Sequence, residues 1–459
     1  YATLAEAFAA AVDGNTILLN KDVTVANRID LAEASEDAKK TINFNMNGKK
    51  ITYTGESNGF LLVRAYDTVN IFGAGMVDIQ AGDFFFAANH YAKANIEDGT
   101  FTGATRLAYT SYGSSTMNIS GGTWSIDPSK QMSTADTPVE YSGLAKDYIA
   151  VAQGTTPETW LIKQAPSTSV TVDGKTTEYP SFDDAFVAAF KTGKAATITV
   201  LRDTTSAGNI DTTGSESVAG VVLDLNGKTV SVSGDKFMKL YKSALTITDN
   251  TDEGKGKLLG TASSIHNDGF IYANSSNAVI TVEGGTIEAN GEKAILRTGG
   301  SNTAGIVVNG GTIINKNETD PYTVVCATSS SYTPSVSING GYFEGAMTVG
   351  SAGSFSIAGG TFNFNPEELY DQGETVIING DVNDNEDGTW TVIPQMVVKL
   401  IANGEEVAQY PTVDQALKEG YKAYTDGDSI TVSLLGDAVS GGNIDLSCGS
   451  FVCFVGVIS

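Results

Sequence analysis

Glycine turns that recur between two short apolar stretches constrain this 459-residue chain more than any other feature. Each turn is followed by Thr or Tyr and is flanked by stretches in which Ile, Val or Phe alternate with polar residues. Glycine permits the positive φ of a sharp corner, and alternation points the apolar side chains to one side. The turn glycines of the six copies are Gly99, Gly122, Gly285, Gly311, Gly341 and Gly360.

The spacing of these turns favours a parallel β-solenoid, in which each strand–turn–strand unit belongs to one coil of a stack. Neighbouring turns within each half lie 19–30 residues apart, which is typical of solenoid repeats. The alternative is an antiparallel sandwich, in which the glycine turns join hairpins. A sandwich requires a strand roughly every 8–12 residues, so the longer and irregular spacing favours stacked coils.

A longer repeat begins at three tyrosines, where similar segments read YATLAEAFAA, YPSFDDAFVAAF and YPTVDQALKEG. In each segment a hydroxyl residue is followed three positions later by an acidic residue or Gln, which is a capping box or a close variant. Apolar residues then recur at helical spacing. We therefore predict an amphipathic helix that covers the open end of each solenoid module. The predicted cap pairs are Thr3 with Glu6, Ser181 with Asp184, and Thr412 with Gln415.

These repeats divide the chain into three predicted parts. Residues 1–168 form a first β-helix module, and residues 169–395 form a second, longer module with additional glycine-turn coils. Residues 396–459 form a hairpin and the start of a third module. This last part lacks the Asn-Gly-Lys turn of the other two, so it is either a truncated module or a terminal docking segment.

The module openings and the I-x-G-G-T-F coils together resemble the pectate-lyase-like right-handed parallel β-helix modules of large, repetitive bacterial cell-surface proteins. This resemblance implies an all-β fold of tandem right-handed parallel β-helices, each opened by a short capping α-helix. It also implies an extracellular or cell-surface location. The chain begins at Tyr1 without a signal peptide, but a secreted precursor would have lost one. One fold hosts many functions, so the resemblance by itself does not define an activity.

Composition excludes some partners. The net charge of −25 repels phosphate backbones, so we expect no nucleic acid partner. No run of 18 apolar residues is present, so we expect no membrane span in this chain. Of three cysteines, Cys326 is interpreted as a small buried hydrophobe. Cys448 and Cys453 either form a disulfide or remain free, which the sequence leaves open.

Catalytic groups are hard to assemble from the sequence. A β-helix lyase would need an arginine base and clustered acidic calcium ligands on adjacent coils. The best candidates are Arg64 with Asp67, or Arg106 near Asp83 and Asp98. We interpret such pairs as solvated surface pairs and nominate no catalytic residue. His90 and His266 lie in different modules and are interpreted as structural.

Two further groups of residues are binding candidates. The segment GDVNDNEDGTW alternates Asp and Asn before a glycine, as part of a calcium loop does, although it lacks the downstream Glu. Calcium is thus the one cofactor that the sequence suggests, and its candidate ligands are Asp381, Asn383, Asn385 and Asp387. The alternative is a polar hairpin turn. Exposed aromatic rings bind sugars by stacking, and the candidates are Tyr91, Tyr109 and Tyr112, with core stacking as the alternative.

The function predicted from these features is that of a non-enzymatic surface protein, used as a stalk, adhesin or filament subunit. Its partners would be further copies of itself or a cell-surface or host glycan. Hairpin-like segments precede the second and third module starts, so we expect head-to-tail association by strand addition. The alternatives are a carbohydrate-active β-helix enzyme or carbohydrate-binding module, and a phage tail fibre or spike.

Overall fold

The computed structural model describes residues 1–32, 35–57, 59–88, 91–110, 115–129, 132–134, 143–214, 220–251, 254–275, 277–299, 304–319, 321–327, 333–350, 353–372, 376–396, 398–410, 413, 416–417 and 430–435. The chain divides into two compact units, Tyr1–Ala165 and Pro166–Ser459. The finer division into three parts at residues 168 and 395 stays a prediction.

The first unit is a stack of coils with three short strands each, preceded by helix α1 (Leu4–Ala10). A 3₁₀ turn at Glu36–Ala38 lies between the first two coils. The strands, coil by coil, are β1 Thr16–Leu18, β2 Val23–Val25, β3 Ile29–Asp30; β4 Thr41–Asn45, β5 Lys50–Tyr53, β6 Leu61–Val63; β7 Thr68–Phe72, β8 Met76–Ile79, β9 Phe84–Ala88; β10 Lys93–Ile96, β11 Thr100–Thr102, β12 Arg106–Thr110; and β13 Thr116–Ile119, β14 Thr123–Trp124, β15 Met132–Thr134. A hairpin of β16 (Tyr148–Ala152) and β17 (Trp160–Gln164) follows.

The second unit opens with a hairpin of β18 (Thr168–Val172) and β19 (Lys175–Tyr179), followed by helix α2 (Phe182–Lys191). Its coils are β20 Ala196–Val200, β21 Thr204–Ser206, β22 Ile210–Asp211; β23 Val221–Asp224, β24 Thr229–Val232, β25 Met238–Leu240; β26 Ala244–Thr248, β27 Lys257–Gly260, β28 Ile271–Ala273; β29 Val279–Val282, β30 Thr286–Ala289, β31 Leu296–Thr298; β32 Gly305–Val308, β33 Thr312–Asn315, β34 Tyr322–Cys326; and β35 Ser335–Ile338, β36 Tyr342–Glu344, β37 Ala346–Val349. The later elements are β38 Ser354–Ile357, β39 Gly360–Phe362, a 3₁₀ segment Pro366–Gln372, β40 Val376–Ile378, β41 Gly380–Asp384, β42 Trp390–Pro394, β43 Val398–Ala402, β44 Glu405–Tyr410 and β45 Ile430–Leu434.

Strands at the same position in successive coils pair in parallel and build three sheets in each unit. In the second unit the first sheet contains β20, β23, β26, β29, β32, β35, β38 and β40; the second contains β21, β24, β27, β30, β33, β36 and β39; and the third contains β22, β25, β28, β31, β34 and β37. The all-β fold of stacked parallel strands predicted from the glycine turns is therefore confirmed.

Alternation along each strand separates an inner from an outer column of side chains. In the first unit Phe44, Ile71, Ile96 and Ile119 pair in register and are fully buried. Burying each such side chain contributes about 1.5–3 kcal/mol, which is the main source of stability for the stack. On the outer side of the same sheet asparagines form a ladder of amide-to-carbonyl hydrogen bonds of 2.8–2.9 Å. Its members are Asn43, Asn70, Asn95 and Asn118.

The helices lie against the first coils because their apolar faces need burial. In α1 the Thr3 hydroxyl accepts the Glu6 N–H at 3.2 Å, and the Glu6 carboxylate accepts the Thr3 N–H, which completes a capping box. Phe8 of this helix packs edge-on against Phe44, with ring centroids 5.3 Å apart. These contacts place the helix over the core of the first coils.

Helix α2 is attached to the solenoid by both packing and polar contacts. Ser181 caps it by accepting the Asp184 N–H at 3.2 Å. The neighbouring Asp183 carboxylate accepts the Ser206 hydroxyl at 2.5 Å and the Ala207 N–H at 2.8 Å, at the end of β21. The buried face of the helix consists of Phe182, Ala185, Phe186, Ala189 and Phe190.

Antiparallel strands cover specific edges of the parallel sheets. In the second unit β18 pairs antiparallel with β20 at the start of the first sheet, and β42 pairs antiparallel with β39 at the end of the second. In the first unit β17 pairs antiparallel with β14 in the same way. Such pairing satisfies backbone groups that an open coil would leave exposed as a template for aggregation.

The pairing pattern of the second unit's start recurs near residue 400. There β43 pairs antiparallel with both β44 and β45, just as β18 pairs with both β19 and β20. Between β44 and β45, Val413, Ala416 and Leu417 are helical, and Ala416 is fully buried. The predicted cap residues Thr412 and Gln415, and both Cys448 and Cys453, lie outside the described residues.

Candidate functional site

The outer face of the third sheet in the second unit brings together polar side chains that are far apart in sequence. The strands β22, β25, β28 and β31 pair in register and align one outward residue from each coil. The inward neighbours Met238, Ile271 and Leu296 are fully buried, which fixes the outward direction of the row. We call this set the outer row; it consists of Asp211, Lys239, Tyr272 and Arg297.

One end of the outer row is internally paired. The Lys239 ammonium lies 3.3 Å from an Asp211 carboxylate oxygen and also donates to the Thr213 hydroxyl at 3.3 Å. Burial by itself would raise the pKa of Asp211, but hydrogen bonds from Thr213 and the charge of Lys239 outweigh it, so this pKa is lowered. Asp211 is therefore a carboxylate at neutral pH, and its negative charge partly neutralises the Lys239 ammonium.

The other end of the row contains a cation whose charge is not matched. Arg297 donates one terminal N–H to the backbone carbonyl of Asn267. Its Nε is buried and has no hydrogen-bond acceptor. Across the part of the chain that the structure describes, no carboxylate lies within ion-pair distance of this guanidinium. The main chain of Gly269 passes close to Arg297, since a β-carbon there would lie 3.0 Å from the Arg297 Cβ.

The loop before β28 adds further titratable groups beside the row. The His266 Nδ1 accepts a hydrogen bond from the Asp268 backbone N–H at 3.1 Å. The Asp268 carboxylate lies 3.2 Å from the same Nδ1 and 3.4 Å from the Lys236 ammonium. The side chain of Lys236 is only 13% exposed, so this loop is held against the coil beneath it.

Tyr272 lies between the two cations of the row and is half-buried. Burial raises the pKa of its phenol, and the nearby Asp268 carboxylate raises it further, while the charge of Arg297 opposes both. The phenol is therefore protonated at neutral pH and is available as a hydrogen-bond donor. The arrangement of a donor, a guanidinium and a flat ring is suited to binding a polar, anionic ligand.

The first unit shows a different pairing from the one considered in the sequence. Arg64 pairs with Asp30 at 3.1 Å, and Arg28 pairs with the same carboxylate at 2.6 Å. Burial would raise the pKa of Asp30, but the two guanidinium groups outweigh it and lower this pKa. Asp67 is fully buried; one of its oxygens accepts the Lys40 N–H at 2.9 Å and the other has no partner.

The candidate calcium ligands lie on the exposed hairpin of β41 and β42. Asp381 and Asn383 are on β41, and both are exposed. Asp387 accepts the Thr389 N–H at 3.0 Å and its hydroxyl at 2.6 Å, and the Asn385 amide donates to the same hydroxyl at 2.9 Å. These bonds are those of a polar turn. No group of three or more His, Cys, Asp or Glu side chains suited to a metal occurs among the described residues. Calcium binding at this turn stays a prediction.

The candidate sugar-stacking residues lie on the first unit. Tyr91 is 55% exposed, and its ring stacks on Tyr66 with centroids 5.2 Å apart and planes 13° from parallel. One face of the Tyr91 ring is thus covered by Tyr66. Tyr109 lies within β12, and Tyr112 lies outside the described residues. Sugar stacking at these positions stays a prediction.

Sequence reasoning interpreted His266 as structural and assigned neither Arg297 nor Tyr272 to a site. The offsets between neighbouring members of the outer row are 28, 33 and 25 residues, so no fixed period connects them. The sequence signal that could have found the outer row is the order of the elements within each coil. Counting from each glycine turn to the strand that follows it identifies one outward position per coil, and these positions align in the stack. His90 lies outside the described residues. Cys326 is buried in β34, and burial raises the pKa of its thiol to about 11, which makes it unreactive.

No protein-family model, no curated protein and no solved structure matches the chain. Among the described residues, no helix is sufficiently long and apolar to cross a membrane.

Proposed function

We propose that this chain is part of a non-enzymatic, extracellular surface protein of a bacterium, in which tandem solenoid modules form a stalk, adhesin arm or filament subunit. The observation that carries the proposal is the recurrence of one module start. The arrangement of β18, β19, α2 and β20 returns as β43, β44, a helical segment and β45. A second start after a complete stack of coils is what a tandem array requires, and tandem solenoids provide long, repetitive surfaces.

The chemistry of the coils supports a structural role. Outward charges pair across neighbouring strands, as Lys50 does with Asp78 and Lys257 with Glu288, each at 2.8 Å. Acidic side chains at the corners accept backbone N–H groups, as Asp203 does from Thr229 at 2.8 Å. These groups stabilise the stack of coils, and they are used in the same way in many coils.

The proposed lack of enzymatic activity is tested by incubating the purified chain with a panel of acidic and neutral polysaccharides. We expect neither new reducing ends nor the ultraviolet absorbance of unsaturated products. Release of either would overturn the non-enzymatic function and support the carbohydrate-active alternative. A carbohydrate-binding module would bind without product, and the outer row favours this second candidate.

The surface location and the assembly need separate experiments. Protease treatment of intact cells that encode the chain is expected to release its peptides, whereas protection would contradict a surface location. Light scattering is expected to show concentration-dependent multimers that disappear when residues 396–459 are deleted. Multimers that persist after the deletion contradict strand addition through this segment, and a stable trimer favours the phage-fibre alternative.

A further inference from the structure

We propose that the outer row of the second unit binds the anionic groups of an acidic polysaccharide, with Arg297 as the main contact and Tyr272 as its stacking and hydrogen-bonding neighbour. This proposal goes beyond the structural role, since a stalk needs no such site. The outer row is the place where a partly buried cation, a half-buried phenol and a second cation lie on successive coils.

The state of Arg297 is the first argument. A guanidinium has five N–H donors and is always charged, so a partly buried position normally supplies carboxylate acceptors. Arg64 meets that expectation through Asp30. Arg297 donates to the carbonyl of Asn267 instead, and no carboxylate among the described residues pairs with it. An anion from outside the chain would supply the missing countercharge in the planar, bidentate geometry that arginine favours.

The surroundings of Arg297 are the second argument. Asp268 is a carboxylate of this loop, and it already pairs with the Lys236 ammonium at 3.4 Å. The loop is therefore held by its own contacts and does not neutralise Arg297. In a chain of net charge −25, a cation left without a carboxylate is a local positive site against a negative background.

The geometry of the row indicates a polymer. Neighbouring strands lie about 4.7–4.9 Å apart, so Lys239, Tyr272 and Arg297 present one group per coil along a line. An extended chain laid along that line meets a cation, an aromatic ring and a second cation in turn. A sugar ring packs on the apolar face of a phenol while its hydroxyls bond to the polar edge. Nucleic acid is disfavoured because the net negative charge repels a densely charged backbone.

The experiment uses the full 459-residue chain and isothermal titration with two acidic glycans, hyaluronan for carboxylate and chondroitin sulfate for sulfate groups, against neutral dextran. We expect binding of at least one acidic glycan and none of dextran. Arg297→Gln is expected to weaken binding at least about tenfold, because a charge-assisted bidentate contact is lost. The affinity of Arg297→Lys is expected to lie between those of the wild type and Arg297→Gln, since lysine keeps the positive charge but cannot make the bidentate contact. The preference between the glycans identifies the anionic group.

The matched control is Arg106→Gln, which removes an exposed cation that lies over the Phe84 ring in the first unit. It is expected to leave the affinity unchanged, and circular dichroism is expected to show all variants folded. The proposal is overturned if neither acidic glycan binds, or if Arg106→Gln and Arg297→Gln weaken binding equally. Product formation from a bound glycan would overturn the non-enzymatic function alone, so the two proposals fail in distinguishable ways.

Discussion

Phe362, on the last glycine-turn coil, lies directly opposite Trp390 on a strand that runs in the reverse direction. The first unit has the same relationship between Trp124 and Trp160. In both units a tryptophan-bearing strand, β17 or β42, joins the last parallel strand of the second sheet by antiparallel pairing, and β16 or β41 follows as the outermost strand. The parallel part of each second sheet therefore ends against an antiparallel hairpin that carries a tryptophan directly opposite a residue of the last coil.

This relationship predicts the effect of removing the tryptophan. Trp390→Ala is expected to lower the free energy of unfolding of the second unit by about 2 kcal/mol, since a half-buried ring is lost from the position directly opposite Phe362. Urea unfolding measures the change. Ile393 on the same strand is 48% exposed, so Ile393→Ala serves as the control and is expected to cost under about 0.5 kcal/mol. Equal losses in the two variants would contradict the capping role of Trp390.

The glycine corners are predicted to be needed for space as well as for conformation. Gly311 has φ +81°, and a β-carbon there would lie 2.7 Å from the backbone oxygen of Gly285 in the coil below. Gly388 has a similar φ of +86° with open space around it. We expect Gly388→Ala to cost about 1 kcal/mol from backbone strain, and Gly311→Ala to cost about 3 kcal/mol or to prevent folding. Similar melting temperatures for the two variants would show that the neighbouring coil leaves room for a β-carbon at Gly311.

Asp249 is predicted to make the free energy of unfolding depend on pH in the acid range. Burial would raise its pKa, but N–H groups of Gly256 at 2.5 Å and Gly227 at 2.8 Å, together with Thr251, outweigh burial and lower it. Its contribution is therefore complete above the ordinary pKa of 3.8 and is lost as the pH falls through the lower folded value. Asp249→Asn is expected to cost about 2 kcal/mol at pH 7, because an amide nitrogen cannot accept the Gly256 N–H.

The check for Asp249 is urea unfolding of both proteins between pH 7 and pH 2. The difference between wild type and Asp249→Asn is expected to shrink as the pH falls below 3.8. A difference that stays constant over this range would show that the carboxylate charge makes no contribution.

Asp67 is predicted to behave in the opposite way. Burial raises its pKa, against the N–H and the charge of Lys40. The folded state therefore holds the proton more tightly, and the contribution of Asp67 to stability is complete below pH 3.8 and is lost as the pH rises through the higher folded value. Asp67→Asn keeps the acceptor for Lys40 and removes a buried charge. It is expected to raise stability by on the order of 1 kcal/mol at pH 7.

The same titration of unfolding against pH tests Asp67. The gain of Asp67→Asn over wild type is expected at neutral pH and to disappear near pH 3. A variant that is less stable than wild type at pH 7 would indicate that the second carboxylate oxygen has a stabilising partner.

Much of the fold could be predicted because its determinants are local. The turn glycines and the alternation of residues such as Ile287 and Ile313 determine inward and outward positions within a few residues. The hairpins before the second and third module starts were expected, but the antiparallel pairing of β17 with β14 and of β42 with β39 was not predicted. Nothing in the segments around Trp160 and Trp390 distinguishes a further coil from a strand that reverses direction, because both present alternating apolar residues.

The sequence by itself determined the parallel solenoid, the capped helices α1 and α2 and the faces of the strands, because glycine conformation, helix capping and alternation act over a few residues. Only the tertiary structure decided which outward residues are neighbours. Tyr272 and Arg297 align because β28 and β31 pair in register across a loop of irregular length. Register between coils is set by the packing of the whole inner column, which is a property of the stack and of no single segment.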